Sequence, residues 1–414
     1  MTSIKVFEHE KLTTYGDEFG RKLTSPQFEK LCQFNDNNKN KYFTVIRNGV
    51  KFANYVGVIQ IGNLVIEILP KADKTPLNKA TNEREQNFDK WRKVLLKMLA
   101  ISGNLKIDSV SESMLKKRHH SLLDLYFEIY LKEVSFIIRK GLVKKYRQES
   151  SNVNALKGRI NFAQNIQQNL IHQERFHTTH QCYDYEHLIN QILLKGLGVL
   201  KLLSYDESII SRINKLRFSF PEIKEINIDQ ASFDKVNLDK KTEAYSEAIK
   251  IAKMIILNYS SDISKGQDDM LALLFDMNKL WEKYIYKRLK QGEKGLYKVD
   301  FQARAKFWEN RIIKPDLVIN KDGETIIVDT KWRLAEPNKP SDDELKQMFA
   351  YNLYWDAKKS ILLYPKTDNK KDGAFGTYHK GFEDVHFCKV GFVDVLNESG
   401  ELNMDIAKEV IMKI

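Results

Sequence analysis

The chain has 414 residues, with 67 Lys plus Arg against 55 Asp plus Glu, a formal net charge of +12 and a pI near 9.2. That length suits about two or three domains with their own cores, and the positive balance favours a polyanionic partner, nucleic acid first. With no apolar run of about eighteen residues and no signal peptide, a membrane role is excluded and a cytoplasmic protein is expected, while three scattered cysteines, Cys32, Cys182 and Cys388, exclude a disulfide framework or a structural zinc site and read as reduced core thiols.

Residues 1–82 read as a β-rich N-terminal domain. Phe43–Ile46, Tyr55–Ile61 and Leu64–Leu69 alternate in strand fashion, with Asn48-Gly49 and Gly62-Asn63 as tight turns. The polar stretch Lys71 to Glu85, containing Pro76, reads as a linker. Residues 83–262 read as a mainly helical middle region. Trp91, Val94, Leu95, Met98 and Leu99 recur at helical spacing, as do Leu122, Leu125, Tyr126, Ile129 and Tyr130, and again Ile189, Ile192, Leu193, Leu197 and Leu200. Phe218 to Asp239, interrupted by Pro221, reads as a loop between helices.

Two basic clusters fall in this middle region: Lys116-Lys117-Arg118, and Arg139, Lys140, Lys144, Lys145 and Arg147. Each is compatible with phosphate contacts or with an ordinary solvated helix face. His119-His120 suggests no metal, because adjacent helical residues point about 100° apart. Residues 263–414 read as helix, hairpin, helix, then strands near Ser360–Tyr364 and His386–Val395.

The hairpin Ile312–Arg333 carries the chemistry. Asp322-Gly323 between two apolar runs is a strong type I′ turn signal, since both central residues need positive φ. Lys321 then pairs with Glu324, and counting outward Asp316 falls opposite Asp329, with Cβ atoms about 4.5–5.5 Å apart. Lys331 shares the face of Asp329. Thr330 points away, its carbonyl still within reach of a metal. Leu317, Ile319, Ile326, Val328 and Trp332 make the opposite, core face. Two carboxylates that close repel unless a cation lies between them, and Mg²⁺ takes a few carboxylate oxygens while leaving room for phosphate. The alternative is an ordinary hairpin with a charged surface.

Pro315-Asp316, then twelve residues, then Asp329-Thr330-Lys331 resembles the PD-(D/E)xK nuclease signature. A preceding amphipathic helix, Leu271 to Lys290, carries Glu282, and a following helix carries Gln347 and Tyr351 on one face, opened by the capping box at Ser341 and Glu344. The stretch Tyr55 to Asp73, the LKGRINF element within Arg139 to Asn165, and Tyr183 to Leu193 resemble the McrC family, the nuclease subunit of McrBC-type restriction systems specific for 5-methylcytosine.

The resemblance implies a multidomain α+β chain ending in an α/β PD-(D/E)xK domain. It implies that Asp316 and Asp329, with the Thr330 carbonyl, bind Mg²⁺. Lys331 handles water, Glu282 assists, and Gln347 and Tyr351 support the site. Arg304, Arg311, Lys314 and Arg333 stand close enough in sequence to contact DNA phosphates. No GxxxxGK[ST] loop is present, so nucleotide hydrolysis belongs to a partner. The resemblance names it: a hexameric AAA+ GTPase motor of the McrB type, engaged by the N-terminal region, where Arg47, Asn48 and Lys51 are candidates. Two other readings stay open, a catalytically silent scaffold for the motor and a stand-alone repair nuclease.

Overall fold

Asp322 and Gly323 take φ values of +51° and +81°, and Lys321 pairs with Glu324 across them, so the hairpin forms in the expected register. This is a computed structural model, and it describes residues 2–71, 81–103, 122–260, 269–333, 335, 339–367, 370–382 and 385–414. The chain is a mixed α+β protein that divides into two compact units. One comprises Met1–Thr2, Ile59–Val65 and Lys116–Leu273; the other Ser3–Val58, Ile66–Leu115 and Leu274–Ile414.

In the second unit the hairpin strands Leu317–Lys321 and Glu324–Thr330 lie inside a six-stranded mixed sheet. Its order is Lys298–Phe301, Leu317–Lys321, Glu324–Thr330, Lys359–Pro365, Phe387–Val393, Gly376–Thr377. Glu324–Thr330 pairs antiparallel with one neighbour and parallel with Lys359–Pro365. Val318, Ile327, Met348, Tyr351, Leu362 and Phe392 pack together in a core that includes the helix Asp342–Tyr354. On the opposite face Trp332 packs on Trp281 of the helix Met277–Gly292, ring centroids 5.2 Å apart. The hairpin therefore has no single core face: Val318 and Ile327 are as buried as Leu317, Ile319, Ile326 and Val328. A strand sandwiched between helices buries both sides, as parallel pairing generally requires. Its turn, Asp322 to Glu324, is exposed, while at the other end Asp329 and Thr330 are buried and Lys331 is half-buried.

Several sequence expectations need correction. The run Met270–Asp276 is a strand of a five-stranded sheet ordered Thr2–Phe7, Leu64–Leu69, Tyr55–Ile61, Met270–Asp276, Tyr259–Ser260. The Glu282 helix accordingly begins at Met277 and not at Leu271, with the Asp276 side chain accepting from Asn278 N at its N-terminus. An uninterrupted apolar run followed by a capping Asp is the signal that helical periodicity obscured. The middle region contains a three-stranded sheet of Lys145–Val153, Phe176–Asp184 and Arg159–Ile160 beside its helices. Its first strand, KYRQESSNV, has no buried residue, so no apolar alternation announced it.

The N-terminal segment contains a helix, Ser25–Asn37, set by a capping box between Thr24 and Gln27 with a proline in its first turn. Thr81 to Glu85 is the start of the helix Thr81–Ile101 and not linker. Lys116-Lys117-Arg118 and His119-His120 lie outside the described residues. Among the described residues no helix is long and apolar enough to cross a membrane. Cys388 is buried, but Cys32 and Cys182 are only half-buried, so they are not core thiols.

Gly62-Asn63 turns as expected between the strands ending at Ile61 and starting at Leu64. At the other turn Ile46 pairs with Gly49, which makes Arg47-Asn48 the loop, with Asn48 at φ +56°. Gly49 serves a different purpose. A Cβ there would stand 2.4 Å from Leu12 O and 2.9 Å from Thr13 Cα, both backbone atoms of the adjacent strand. Gly49→Ala is expected to destabilise the fold by about 1–3 kcal/mol through overpacking. Denaturant unfolding checks this; an unchanged midpoint contradicts the close approach.

Candidate active site

The site stands at the end of the central hairpin, where the strands leave the ladder. Asp316 precedes its strand by one residue, and its Oδ2 accepts from both Thr330 N (2.8 Å) and Thr330 Oγ1 (3.0 Å). Thr330 therefore turns its hydroxyl toward Asp316, against the expectation that its side chain points away. The Asp316 carbonyl is also held, accepting from Gln302 N at 2.9 Å.

Asp329 is 2 % exposed. Lys331 Nζ lies 2.7 Å from Asp329 Oδ2. The pair is close but off the hydrogen-bonding direction, so this buried oxygen has no aligned donor. Burial, and then the charge of Asp316, push the Asp329 carboxyl up to about 6 despite Lys331. Burial pulls the Lys331 ammonium down, but Asp329, Asp316 and Glu344 outweigh it and leave it raised.

Glu282 joins them. It is buried, not the solvated helix carboxylate that its residue type would suggest. Its Oε1 accepts from Gln302 Nε2 at 2.6 Å, and Gln302 Oε1 accepts in turn from Lys314 Nζ at 3.2 Å. Burial and the neighbouring Asp316 carboxylate push it up to about 7.

Gln347 and Tyr351 meet as the i, i+4 spacing predicts: Gln347 Nε2 donates to Tyr351 Oη at 2.7 Å, and that hydroxyl donates to Lys314 O at 2.9 Å. Burial pushes the Tyr351 phenol up to about 12, with Asp329, Asp316 and Glu282 adding to the effect, so it stays a donor. The helix thereby fixes the backbone two residues before Asp316.

Of the four expected phosphate-binding cations, Arg304, Arg311 and Lys314 are exposed. Arg333 is differently placed: its Nη2 donates to Glu344 Oε1 at 2.6 Å, and it stands over the Tyr364 ring. Arg147 of the second basic cluster is also engaged. It lies 2.7 Å from Glu149 and 2.9 Å from Asp184, among the close-set group Glu149, Cys182 and Asp184. Its guanidinium already supplies the cation those acids need.

Four further side chains support the site, and the sequence alone places none of them there. Gln302 links Glu282 to Lys314, and only the fold brings it there. Asn278 Oδ1 accepts from Trp332 N at 3.0 Å, and Glu8 Oε1 accepts from Trp332 Nε1 at 2.7 Å, fixing the residue after Lys331. Glu344 was visible only as a helix cap, yet it also holds Arg333 and Tyr364.

Three carboxyl groups and one ammonium share the cluster, and the buried Asp329 Oδ2 lacks an aligned donor. Asp316 and Asp329 are hard oxygen donors of the type Mg²⁺ takes, while among the described residues only Glu149, Cys182 and Asp184 already bring three ligand atoms within 4.8 Å of one another.

Fold and site together define a mixed α+β protein with a carboxylate–lysine cluster at the end of a mixed sheet. A family model described as McrBC 5-methylcytosine restriction system component matches residues 50–365, and the chain belongs to that family. It is 23% identical over 296 residues to the Type IV methyl-directed restriction enzyme EcoKMcrBC of Escherichia coli (strain K12), covering 66% of this chain and 84% of that protein. The fold is similar to a chain in the refined half-complex of Thermococcus gammatolerans McrB AAA+ hexamers with bound McrC, with a TM-score of 0.69 over 100% of both chains at 18% identity. A chain of the T. gammatolerans McrBC complex gives 0.52 over 74% of this chain and 90% of that one, at 17% identity.

The raised Glu282 carboxyl makes a stability prediction. Its folded value of about 7 lies above the ordinary 4.5, so the folded chain binds this proton more tightly than the unfolded chain. The resulting stabilisation is full below about pH 4.5 and is lost as pH rises through about 7. Gln mimics the protonated acid and can keep the bond from Gln302. In EDTA, Glu282→Gln is expected to melt above the parent chain at pH 8 and level with it near pH 4.5. A variant that is less stable at pH 8 contradicts the electrostatic account.

Proposed function

We propose that this chain is the Mg²⁺-dependent DNA endonuclease subunit of an McrBC-like restriction complex, with a PD-(D/E)xK domain in residues 263–414. The observation that carries the reading is the meeting of Asp316 and Lys331 at the buried Asp329 carboxylate, with Glu282 brought beside Asp316 from a separate helix. An ordinary charged hairpin has no reason to gather like charges in a desolvated corner, where the Asp316 carboxylate raises both Asp329 and Glu282.

In this reading Asp316, Asp329 and the Thr330 carbonyl hold Mg²⁺, with Glu282 assisting. When bound, the ion would supply Lewis acidity, lowering the pKa of a water and offsetting phosphoryl charge. Lys331, kept an ammonium by its partner Asp329, orients the attacking water and neutralises charge that builds on the phosphate oxygens. Tyr351 and Gln347 position the strand entry to Asp316. Arg304, Arg311 and Lys314 contact DNA phosphates, and Arg333 joins them by exchanging Glu344 for phosphate.

The partner is proposed by likeness to the T. gammatolerans assembly, in which McrC is bound to McrB AAA+ hexamers. An AAA+ GTPase motor would supply the nucleotide hydrolysis for which this chain has no phosphate loop, and this chain would stimulate it. The proposed division of the chain follows: residues 1–82 engage the motor, 83–262 connect, and the nuclease domain cuts.

Asp329→Asn and Lys331→Ala are each expected to lower Mg²⁺-dependent DNA cleavage by the reconstituted complex by about 10²–10³-fold or more, while partner-stimulated nucleotide hydrolysis stays at the parent level. Paired cleavage and phosphate-release assays check this. Loss of both activities in a folded variant refutes the separation of roles.

A further inference from the structure

Immediately before Asp316 the chain forms a small antiparallel ribbon, Ala305–Trp308 paired with Arg311–Ile313, turning at Glu309-Asn310. It belongs to none of the larger sheets. Its composition is unusual for a solvated turn. Phe307, Trp308 and Ile312 are each more than half exposed, and Trp308, at 62 %, is the only exposed tryptophan of the chain's five. Arg304, Lys306 and Arg311 are exposed around them, and among the described residues none of the three has an ion-pair partner. Large apolar side chains left in water beside unneutralised cations suit a ligand with a polyanionic backbone and apolar ring faces.

The ribbon is also fixed relative to the site. Tyr354 Oη donates to Phe307 O at 3.1 Å, and the two rings lie 5.7 Å apart. At its other end Tyr351 holds Lys314 O. Both tyrosines belong to the helix that carries Gln347. From Asn310 to Asp316 is six residues, so at about 3.3 Å per residue the tip lies within about 20 Å of the carboxylate cluster. That is the scale of a duplex width, and a two-stranded ribbon is a shape that a DNA groove admits.

We propose that the ribbon 305–313 is a DNA-positioning element. Arg304, Lys306 and Arg311 grip phosphates flanking the scissile one, and Trp308 packs its ring against the sugars and bases of duplex DNA. The proposal rests on the nuclease reading and extends it to how the substrate is registered: the ribbon sets the distance between a gripped stretch of duplex and the cut. It also identifies Trp308 as a contact that charge-based reasoning overlooks.

The test uses the full chain in EDTA, where no cleavage interferes. Titration with a short DNA duplex is expected to quench tryptophan fluorescence in the parent chain, and Trp308→Phe is expected to remove most of that quench. A variant combining Arg304→Ala, Lys306→Ala and Arg311→Ala is expected to bind more weakly, with the slope of log affinity against log salt shallower by about 0.9 per lost phosphate contact, or about 2.7 for all three. The substituted side chains are exposed, and an unchanged melting temperature verifies folding. An unchanged quench in Trp308→Phe together with an unchanged salt slope in the triple variant overturns the proposal, as does a parent chain that shows no salt-dependent DNA binding. A complex that never cleaves DNA while the ribbon variants still lose binding refutes the nuclease reading and leaves the ribbon's role standing.

Discussion

Carboxylates brought together out of water repel, and much of the second unit's organisation can be read as the means of holding them there. The Asp322-Gly323 turn sets a register that places Asp316 against the end of the strand carrying Asp329. Thr330 ties Asp316 down by two hydrogen bonds, and Lys331 neutralises part of the charge on Asp329. Breaking one side of a buried ion pair generally costs about 3–5 kcal/mol, because a charge is left without compensation. The cluster is thus a site of stored electrostatic tension, relieved by protonation or by a cation. The helices on both faces of the sheet keep water away and make that tension larger.

The same packing explains how two helices act on the chemistry. One brings Glu282 in from the side on which Trp281 meets Trp332; the other sends Tyr351 to the backbone of Lys314. Glu8, in the turn just after the strand Thr2–Phe7, holds the indole of Trp332, and burial pushes its own carboxyl up to about 7. Lys331 is therefore followed by a residue clamped at its backbone N–H and at its side chain. In its proposed role of orienting a single water, Lys331 would need such a rigid support.

The register of the hairpin was legible in the sequence because its turn chemistry and spacing agree, although its apolar pattern pointed to a single core face. Asp-Gly between apolar runs admits one register, and the pairing of Asp316 with Asp329 follows by counting. Gln347 and Tyr351 were legible for the same reason, helical spacing behind a clear capping box. Glu282 was harder, since nothing in a helix sequence says which carboxylate the fold will bury. Both faces of the Glu324–Thr330 strand are apolar, so periodicity alone could not say that helices cover each. The polar ladder Lys145–Val153 is held by cross-strand pairs such as Ser150 with Thr179 and Arg147 with Asp184, and hydrophobic patterning is blind to these. Gln302 gives no local signal at all; its place between Glu282 and Lys314 exists only after the sheet has formed.

The central claim is that this cluster holds one divalent cation between its acids. Calorimetric titration of Mg²⁺ into the metal-stripped chain tests it most directly, with Asp316→Asn and Asp329→Asn in parallel. The account predicts saturable binding by the parent chain that both substitutions remove while the fold persists. Binding of equal strength in all three proteins would contradict it.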